Sequence, residues 1–245
     1  MTGTWPGPGP VQESAPAGDA RAAVAVVATT AEVLGRPELD EGLLEPWELR
    51  RLAAARLPER RDDAVAARLL VRFCVARLTG LPLAGAAPAQ RCPDCGRPGH
   101  GRPYLPGRPG TGVSLSHADG LVAAAVGPGP IGIDVEPAAR RPGSPRVLRR
   151  LLPEADLREA AALPDPGPAL LRLWIRREAL FKAGADVRPD AGSGPLGPPS
   201  GLRLLEWADG PRAAVAAVAS TVPVTLLPGL EPADGRREGT RSRGA

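Results

Sequence analysis

Four groups of residues in this chain have the types and spacing to do chemistry. The first is the run Ile131-Gly132-Ile133-Asp134-Val135-Glu136. As a strand, its alternation sends Ile131, Ile133 and Val135 to one face and Asp134 and Glu136 to the other. Two carboxylates at i and i+2 can share a hard cation such as Mg²⁺; the plainer reading is the exposed polar face of an edge strand. The second group lies on a helix expected from Ala169 to Ala183. There Glu178 and Lys182 fall one turn apart, inside the apolar arc of Leu170, Leu171, Trp174 and Ile175, with Arg172 and Arg176 on the other side. An ordinary surface Glu–Lys pair would have the same spacing, but charged residues among apolar neighbours are seldom found unless paired or functional.

The third group is Ser116-His117, at the end of a strand. Adjacent strand residues point to opposite faces, so the two cannot form a simple nucleophile–base pair. Contact with a phosphate is the alternative to a histidine satisfied by backbone. The fourth is Cys92-Pro93-Asp94-Cys95-Gly96, followed by His100. It offers three candidate zinc ligands with no second CxxC, and Cys74 sits apart in a helix, so the site reads as a fragment of a zinc knuckle. Further upstream Arg61, Val65, Arg68 and Arg72 share one helical face, which is either a solvated basic face or an anion site.

These groups need elements to hold them. The β-branched run Ala22 to Thr29 reads as a buried strand. A helix is expected from Pro46 and a second from Asp62 to Leu78, stopped by Gly80 and Pro82. Strands follow at Gly112 to His117 and Leu121 to Val126, joined by the hairpin signal Asp119-Gly120. With Ile131 to Glu136 after the Gly/Pro turn, they are expected to form an antiparallel meander, which indicates α+β rather than a doubly wound parallel sheet. The second half repeats the plan. A helical region runs from Val147 to Ala162, the helix from Ala169 to Ala183 follows, and strands come at Leu202 to Glu206, Ala213 to Ala219 and Val222 to Leu227. The expected fold is α+β, with two similar halves, each a small antiparallel sheet packed against helices.

Composition narrows the function. The chain has 245 residues, 43% hydrophobic and 24% charged, as in an ordinary globular protein. No apolar run is long enough to span a membrane, the N-terminus does not read as a secretory signal, and three cysteines are too few for a disulfide scaffold. A cytoplasmic protein is the expectation. The net charge of +4 is too small to demand nucleic acid, and would suit an anionic ligand or an acidic protein partner. Lys182 is the only lysine, every other basic residue being arginine.

Taken together, Gly101-Arg102-Pro103-Tyr104-Leu105, Ser114-Leu115-Ser116-His117, Gly132-Ile133-Asp134-Val135-Glu136 and Trp174-Ile175-Arg176-Arg177-Glu178-Ala179-Leu180-Phe181-Lys182-Ala183 resemble the 4′-phosphopantetheinyl transferases. The resemblance is to the longer, monomeric, pseudo-dimeric type that activates carrier proteins of polyketide, nonribosomal-peptide or siderophore synthesis, and spans roughly Arg60 to Ala183. Composition marks residues 1–20, rich in Gly, Pro and Ala without periodicity, and the charged stretch 228–245 as disordered tails. The repeated plan divides the rest into an N-terminal half over 21–130 and a C-terminal half over 131–227, in agreement with that type. The resemblance implies transfer of phosphopantetheine from coenzyme A to a serine of an apo acyl or peptidyl carrier protein, with release of adenosine 3′,5′-bisphosphate.

By the same resemblance, Asp134, Glu136 and Glu178 match the Mg²⁺ carboxylates, and Glu178 also matches the proposed general base. Lys182 matches the lysine that contacts the phosphates. Arg102, Ser116 and His117 match coenzyme A phosphate contacts, and Arg68 a contact to its 3′-phosphate, with Arg51 and Arg61 as further candidates. Arg177 departs from the family's usual lysine before the glutamate. The partners implied are a carrier protein and coenzyme A, with no nucleic acid and no membrane. Two other readings compete. One is a carrier-binding module of this fold without turnover, against which the intact carboxylate set argues. The other is a nucleic-acid-binding protein using the CxxC loop and the Arg61/Arg68/Arg72 face, against which the few aromatics, in no stacking series, argue.

Overall fold

The computed structural model describes residues 22–92, 95–188 and 195–230. The tail expected over 1–20, and that over 228–245 from residue 231 onward, lie outside them. The chain opens with strand β1 (Ala23–Thr29) and the short helix α1 (Thr30–Leu34). Thr29 and Glu32 start α1 as a reciprocal capping box. Helices α2 (Pro46–Leu52) and α3 (Pro58–Thr79) both begin at a proline, which suits the first helical position. Thus α3 starts a turn before the expected Asp62. It stops at Gly80, whose φ of 72° closes the helix in a left-handed cap.

Strands β2 (Ala89–Arg91), β3 (Pro98–Tyr104), β4 (Thr111–Ala118), β5 (Leu121–Pro128) and β6 (Ile131–Pro137) follow. Asp119 and Gly120 both have positive φ, 44° and 84°, as the tight β4–β5 hairpin requires. The helical region expected over Val147 to Ala162 is two pieces, α4 (Pro145–Leu148) and α5 (Glu154–Ala161), separated before Pro153. Then come α6 (Gly167–Ala183), β7 (Arg203–Asp209), β8 (Ala214–Ser220) and β9 (Val224–Leu226).

The sheets differ from expectation in two places. β6 does not extend the β4–β5 hairpin into a meander. It leaves that sheet, pairs with β8 and forms the edge of a three-stranded antiparallel sheet ordered β6-β8-β7. β9 returns to the first sheet and pairs parallel with β1, which makes that six-stranded sheet, β2-β3-β4-β5-β1-β9, mixed rather than purely antiparallel. Alternation defines which face of a strand is apolar; it does not say which neighbour the strand bonds to.

The result is four layers, helix, sheet, sheet, helix. On one outer face α3 buries Val65, Leu69, Leu70 and Val75 against Val26, Val113 and Val126. Between the sheets, Ala25, Val27, Ala123 and Ala125 meet Ile131, Ile133, Val135 and Val218. On the other outer face α6 buries Leu171, Ile175, Ala179 and Leu180 over Ala217 and Ala219. Each fully buried Leu or Ile contributes about 1.5–3 kcal/mol. Leu230, inside the stretch expected to be tail, is buried in the first of these cores. Arg212, after β7, reaches Glu32 of α1 through two hydrogen bonds of 2.8 Å, tying the halves together at the surface.

Candidate active site

An edge strand leaves one row of backbone groups without a ladder partner, and these need other satisfaction when buried. On β6 the outer edge faces β4 and α6, and side chains close it. The Ile133 N–H donates to Ser114 Oγ at 3.0 Å, and the Ile133 carbonyl accepts from Lys182 Nζ at 2.9 Å. Lys182 also donates to Asp134 Oδ1 at 2.7 Å and to Ser116 Oγ at 3.0 Å, which uses all three ammonium protons. The Ser116 hydroxyl itself lies 2.8 Å from Asp134 Oδ1 and donates to it. A residue from each half and the lysine of α6 thus meet at the seam between the sheets.

Asp134 is 5% exposed, and its second oxygen, Oδ2, is buried with no hydrogen-bond partner among the described residues. A buried carboxylate oxygen without a donor is costly unless a cation completes it. Glu136, two residues along the same strand face, accepts from Trp174 Nε1 at 3.2 Å and Arg140 Nη1 at 2.5 Å. Burial, and then the nearby Asp134 carboxylate, push the Glu136 pKa above the usual carboxylate value; Arg140 and Trp174 oppose this. Glu178 accepts from Arg177 Nη1 at 2.6 Å. Arg177 is held in turn by the Leu151 carbonyl at 3.0 Å, and its guanidinium lies 5.8 Å from the Phe181 ring centroid.

The seating of α6 on β6 depends on Gly132. A Cβ there would come within 2.0 Å of the Ala179 carbonyl oxygen and 2.4 Å of the Ala183 nitrogen. Only glycine permits that approach, and the approach brings Trp174, Glu178 and Lys182, spaced i, i+4, i+8 along α6, over the carboxylate face of β6.

The structure gathers the sequence-derived candidates only in part. Ser116, Asp134 and Lys182 are in mutual hydrogen-bond contact, and Glu136 adjoins them. Asp134, Glu136 and Glu178 do not close into one cluster: each carboxylate has its own cation, Lys182, Arg140 and Arg177 respectively. Arg102 is exposed on β3, and its guanidinium lies against Gly184, the cap of α6, near enough that a Cβ there would sit 2.8 Å from Nη1.

His117 faces away from Ser116, as strand geometry demands. Its ring keeps an exposed side, yet the protein wall around it lowers its pKa through desolvation; Asp63 opposes this, and the charges of Arg68 and Lys182 add to it. His117 is therefore a neutral imidazole near pH 7.

The basic face expected from Arg61, Arg68 and Arg72 is not a free surface. Arg72 is fully buried and paired with Glu48. Arg68 is turned inward, 3.4 Å from Glu48 and bonded to the Ala64 carbonyl at 3.1 Å. Arg61 makes a bidentate pair with Glu41 at 2.6 and 2.9 Å, and Arg51 donates to the Gly99 carbonyl. The cause is Glu48, which α2 delivers against α3 from outside the helix whose spacing suggested the face. These pairings take up the three arginines that the nucleic-acid reading used together with the CxxC loop.

Sequence reasoning assigned no role to Gly132, Trp174 or Arg140. The first two carry signals, a glycine inside an alternating strand and an indole one turn before Glu178. Arg140 lies beyond β6, in a loop with no periodicity to read.

Residues 130–215, from the start of β6 to the start of β8, match the family model of the 4′-phosphopantetheinyl transferase superfamily. No curated protein matches the chain. The matched stretch is thus similar to that superfamily, and the α+β architecture of the chain is consistent with its fold. Asp134, Glu136, Glu178 and Lys182 all fall inside the matched span. No helix among the described residues is long and apolar enough to cross a membrane.

Proposed function

We propose that this chain transfers 4′-phosphopantetheine from coenzyme A to a serine of an apo acyl or peptidyl carrier protein, with Mg²⁺. In this reading it is a cytoplasmic monomer of the longer, pseudo-dimeric type serving polyketide or nonribosomal-peptide synthesis, with halves over 21–130 and 131–227. The observation that carries it is the junction of Ser116 with Asp134 and Lys182, the latter two inside the span that matches the superfamily's model, with one buried Asp134 oxygen left without a partner among the described residues.

The donor set fits a hard divalent ion. Asp134, Glu136 and Glu178 supply carboxylate oxygens, and the orphaned Asp134 Oδ2 is the atom a cation would satisfy. These three residues would hold Mg²⁺, which when bound neutralises the pyrophosphate and polarises the phosphorus under attack. Lys182, a compact point charge already fixed by three acceptors, steadies the charge that develops on the phosphate oxygens. Arg102 at the cap of α6 and His117 bind the phosphates of coenzyme A as hydrogen-bond donors, while Ser116, on the other strand face from His117 and with its proton on Asp134, orients that carboxylate toward the same phosphates. Arg68, committed to Glu48, adds positive potential behind His117.

Glu178 accepts the proton of the carrier serine, directly or through water. The serine oxygen then forms its bond to the β-phosphorus as the bond to the bridging oxygen breaks, and adenosine 3′,5′-bisphosphate leaves. The groove lined by Leu148, Leu157, Ala161 and Leu170 is edged by Arg149, Arg158 and Glu154, and its two arginines offer contacts to a carrier with an acidic surface.

The test is intact-mass spectrometry of an apo carrier protein incubated with this chain, coenzyme A and Mg²⁺. The expected result is a gain of about 340 Da on the carrier, abolished by a chelator. No gain across several carrier types, with coenzyme A still bound, would replace this reading with a binding module lacking turnover.

A further inference from the structure

We propose that Cys92, Cys95 and His100 form a second metal site, selective for Zn²⁺, that staples the β2–β3 hairpin and thereby holds Arg102 in place. Among the described residues these three are the only group of three or more Cys, His, Asp or Glu side chains whose ligand atoms all lie within 4.8 Å of one another. Cys95 Sγ is 3.3 Å from His100 Nε2. Two ligands of one tetrahedral zinc, at 2.3 Å for sulfur and 2.0–2.1 Å for nitrogen, stand about 3.5 Å apart. Thiolate and imidazole are donors for zinc rather than for the hard ion assigned to the carboxylates, so the two sites would not compete for one metal.

The backbone is built to converge these donors. The Cys92 N–H donates to the Arg97 carbonyl at 3.1 Å, and the Gly96 N–H returns to the Cys92 carbonyl at 3.0 Å. Gly96 closes the loop with a φ of 67°, a left-handed conformation that glycine adopts without strain. Downstream, Gly101 passes so close over the preceding strand that a Cβ would lie 2.5 Å from the Arg91 carbonyl oxygen and 2.8 Å from the Cys92 Cα. That crossing sets His100 over the two cysteines.

The hairpin also needs a staple. β2 has three residues, its register with β3 shifts between Gln90 and Arg91, and β3 meets β4 through the single pair Tyr104–Gly112. His100, Gly101, Arg102 and Tyr104 are exposed, so burial of apolar surface contributes little here. Beyond its strand pairs the hairpin is tied to α2 through Arg51 on the Gly99 carbonyl and Trp47 against Gly99. Small elements without a core commonly rely on a metal or disulfide for order. Arg102 lies two residues past His100, so ordering the hairpin orders the arginine. The consequence for Arg102 rests on the functional reading above; the metal site does not.

The full-length chain, purified reduced and freed of metal, is titrated with Zn²⁺ alone and dialysed, and its metal is counted. A parallel titration with Co²⁺ is followed by absorption. One equivalent of zinc is expected, together with thiolate-to-cobalt charge-transfer bands. The Cys92→Ser/Cys95→Ser double variant should lose both, His100→Asn should weaken retention at least tenfold, and Cys74→Ala should change neither. Zinc should also protect the 89–104 segment from proteolysis in the parent and not in the double variant. Zinc retained equally by the double variant, or none retained by the parent, would overturn the proposal. Unchanged circular dichroism of the double variant separates site loss from unfolding. A normal mass gain on the carrier with no zinc bound would refute this site alone, leaving the transferase reading intact.

Discussion

Each half has an ion pair on a buried carboxylate, Arg72 of α3 with Glu48 of α2 and Lys182 of α6 with Asp134 of β6, and the two end differently. In the first, Glu48 spends both oxygens. Oε1 takes Arg72 Nη1 at 3.3 Å and Arg68 Nε at 3.4 Å, while Oε2 takes Arg72 Nη2 and the Glu45 N–H at 2.9 Å. What is left over is a donor, Arg72 Nε. In the second, Lys182 is saturated and the remainder is an acceptor, Asp134 Oδ2. A closed carboxylate stabilises and has nothing further to offer a cation; a buried carboxylate with a free oxygen is suited to one. Burial of the carboxylate is common to both, and what differs is the unfinished valence, a donor beside Glu48 and an acceptor on Asp134.

The sharpest way to break that contrast is to remove chemistry from the second half alone. Glu178→Gln should lower phosphopantetheine transfer by about 10²–10⁴-fold with an unchanged melting temperature; retained activity would remove its role as base. The mirror experiment is Arg72→Met. Stranding Glu48 in the interior should cost about 3–5 kcal/mol in denaturant unfolding, with turnover per folded molecule preserved. A loss of turnover at full stability would show that the first pair also belongs to the site.

Gly132→Ala tests the contact that distinguishes the second pair. A methyl group forced against the Ala179 carbonyl should cost about 1–3 kcal/mol and displace Lys182, so transfer should fall further than stability does.

The smallest effect belongs to the surface tie between the halves. Hydrogen bonding to Arg212 holds the Glu32 pKa below its ordinary 4.5, so this pair stabilises the fold above that pH and the stabilisation is lost as pH falls through the lowered value. Both groups are solvent-screened, so Arg212→Ala should cost about 0.5 kcal/mol at neutral pH and flatten the acid limb of the stability curve. An unchanged acid limb would show that the tie contributes nothing.

Much of the second half was legible in the residues themselves. β6 and α6 have strong periodicity, and the chemistry rides on that periodicity: Asp134 and Glu136 share a strand face, and Glu178 and Lys182 share an apolar arc. The first half was less readable. Arg61, Arg68 and Arg72 have the spacing of an open basic face, and nothing local reveals that other segments bring Glu41 to Arg61 at the surface and Glu48 to Arg68 and Arg72 in the interior.

The sequence by itself determined the elements, their polar and apolar faces and the residue types at the site, because these follow from backbone geometry and from side-chain chemistry within a few residues. Tertiary structure alone decided that β6 leaves the first sheet, that β9 returns to pair parallel with β1, and that Ser116 of one half meets Asp134 and Lys182 of the other. Those choices compare distant partners for the same hydrogen bonds and the same apolar faces, and the comparison is made only when the whole chain packs.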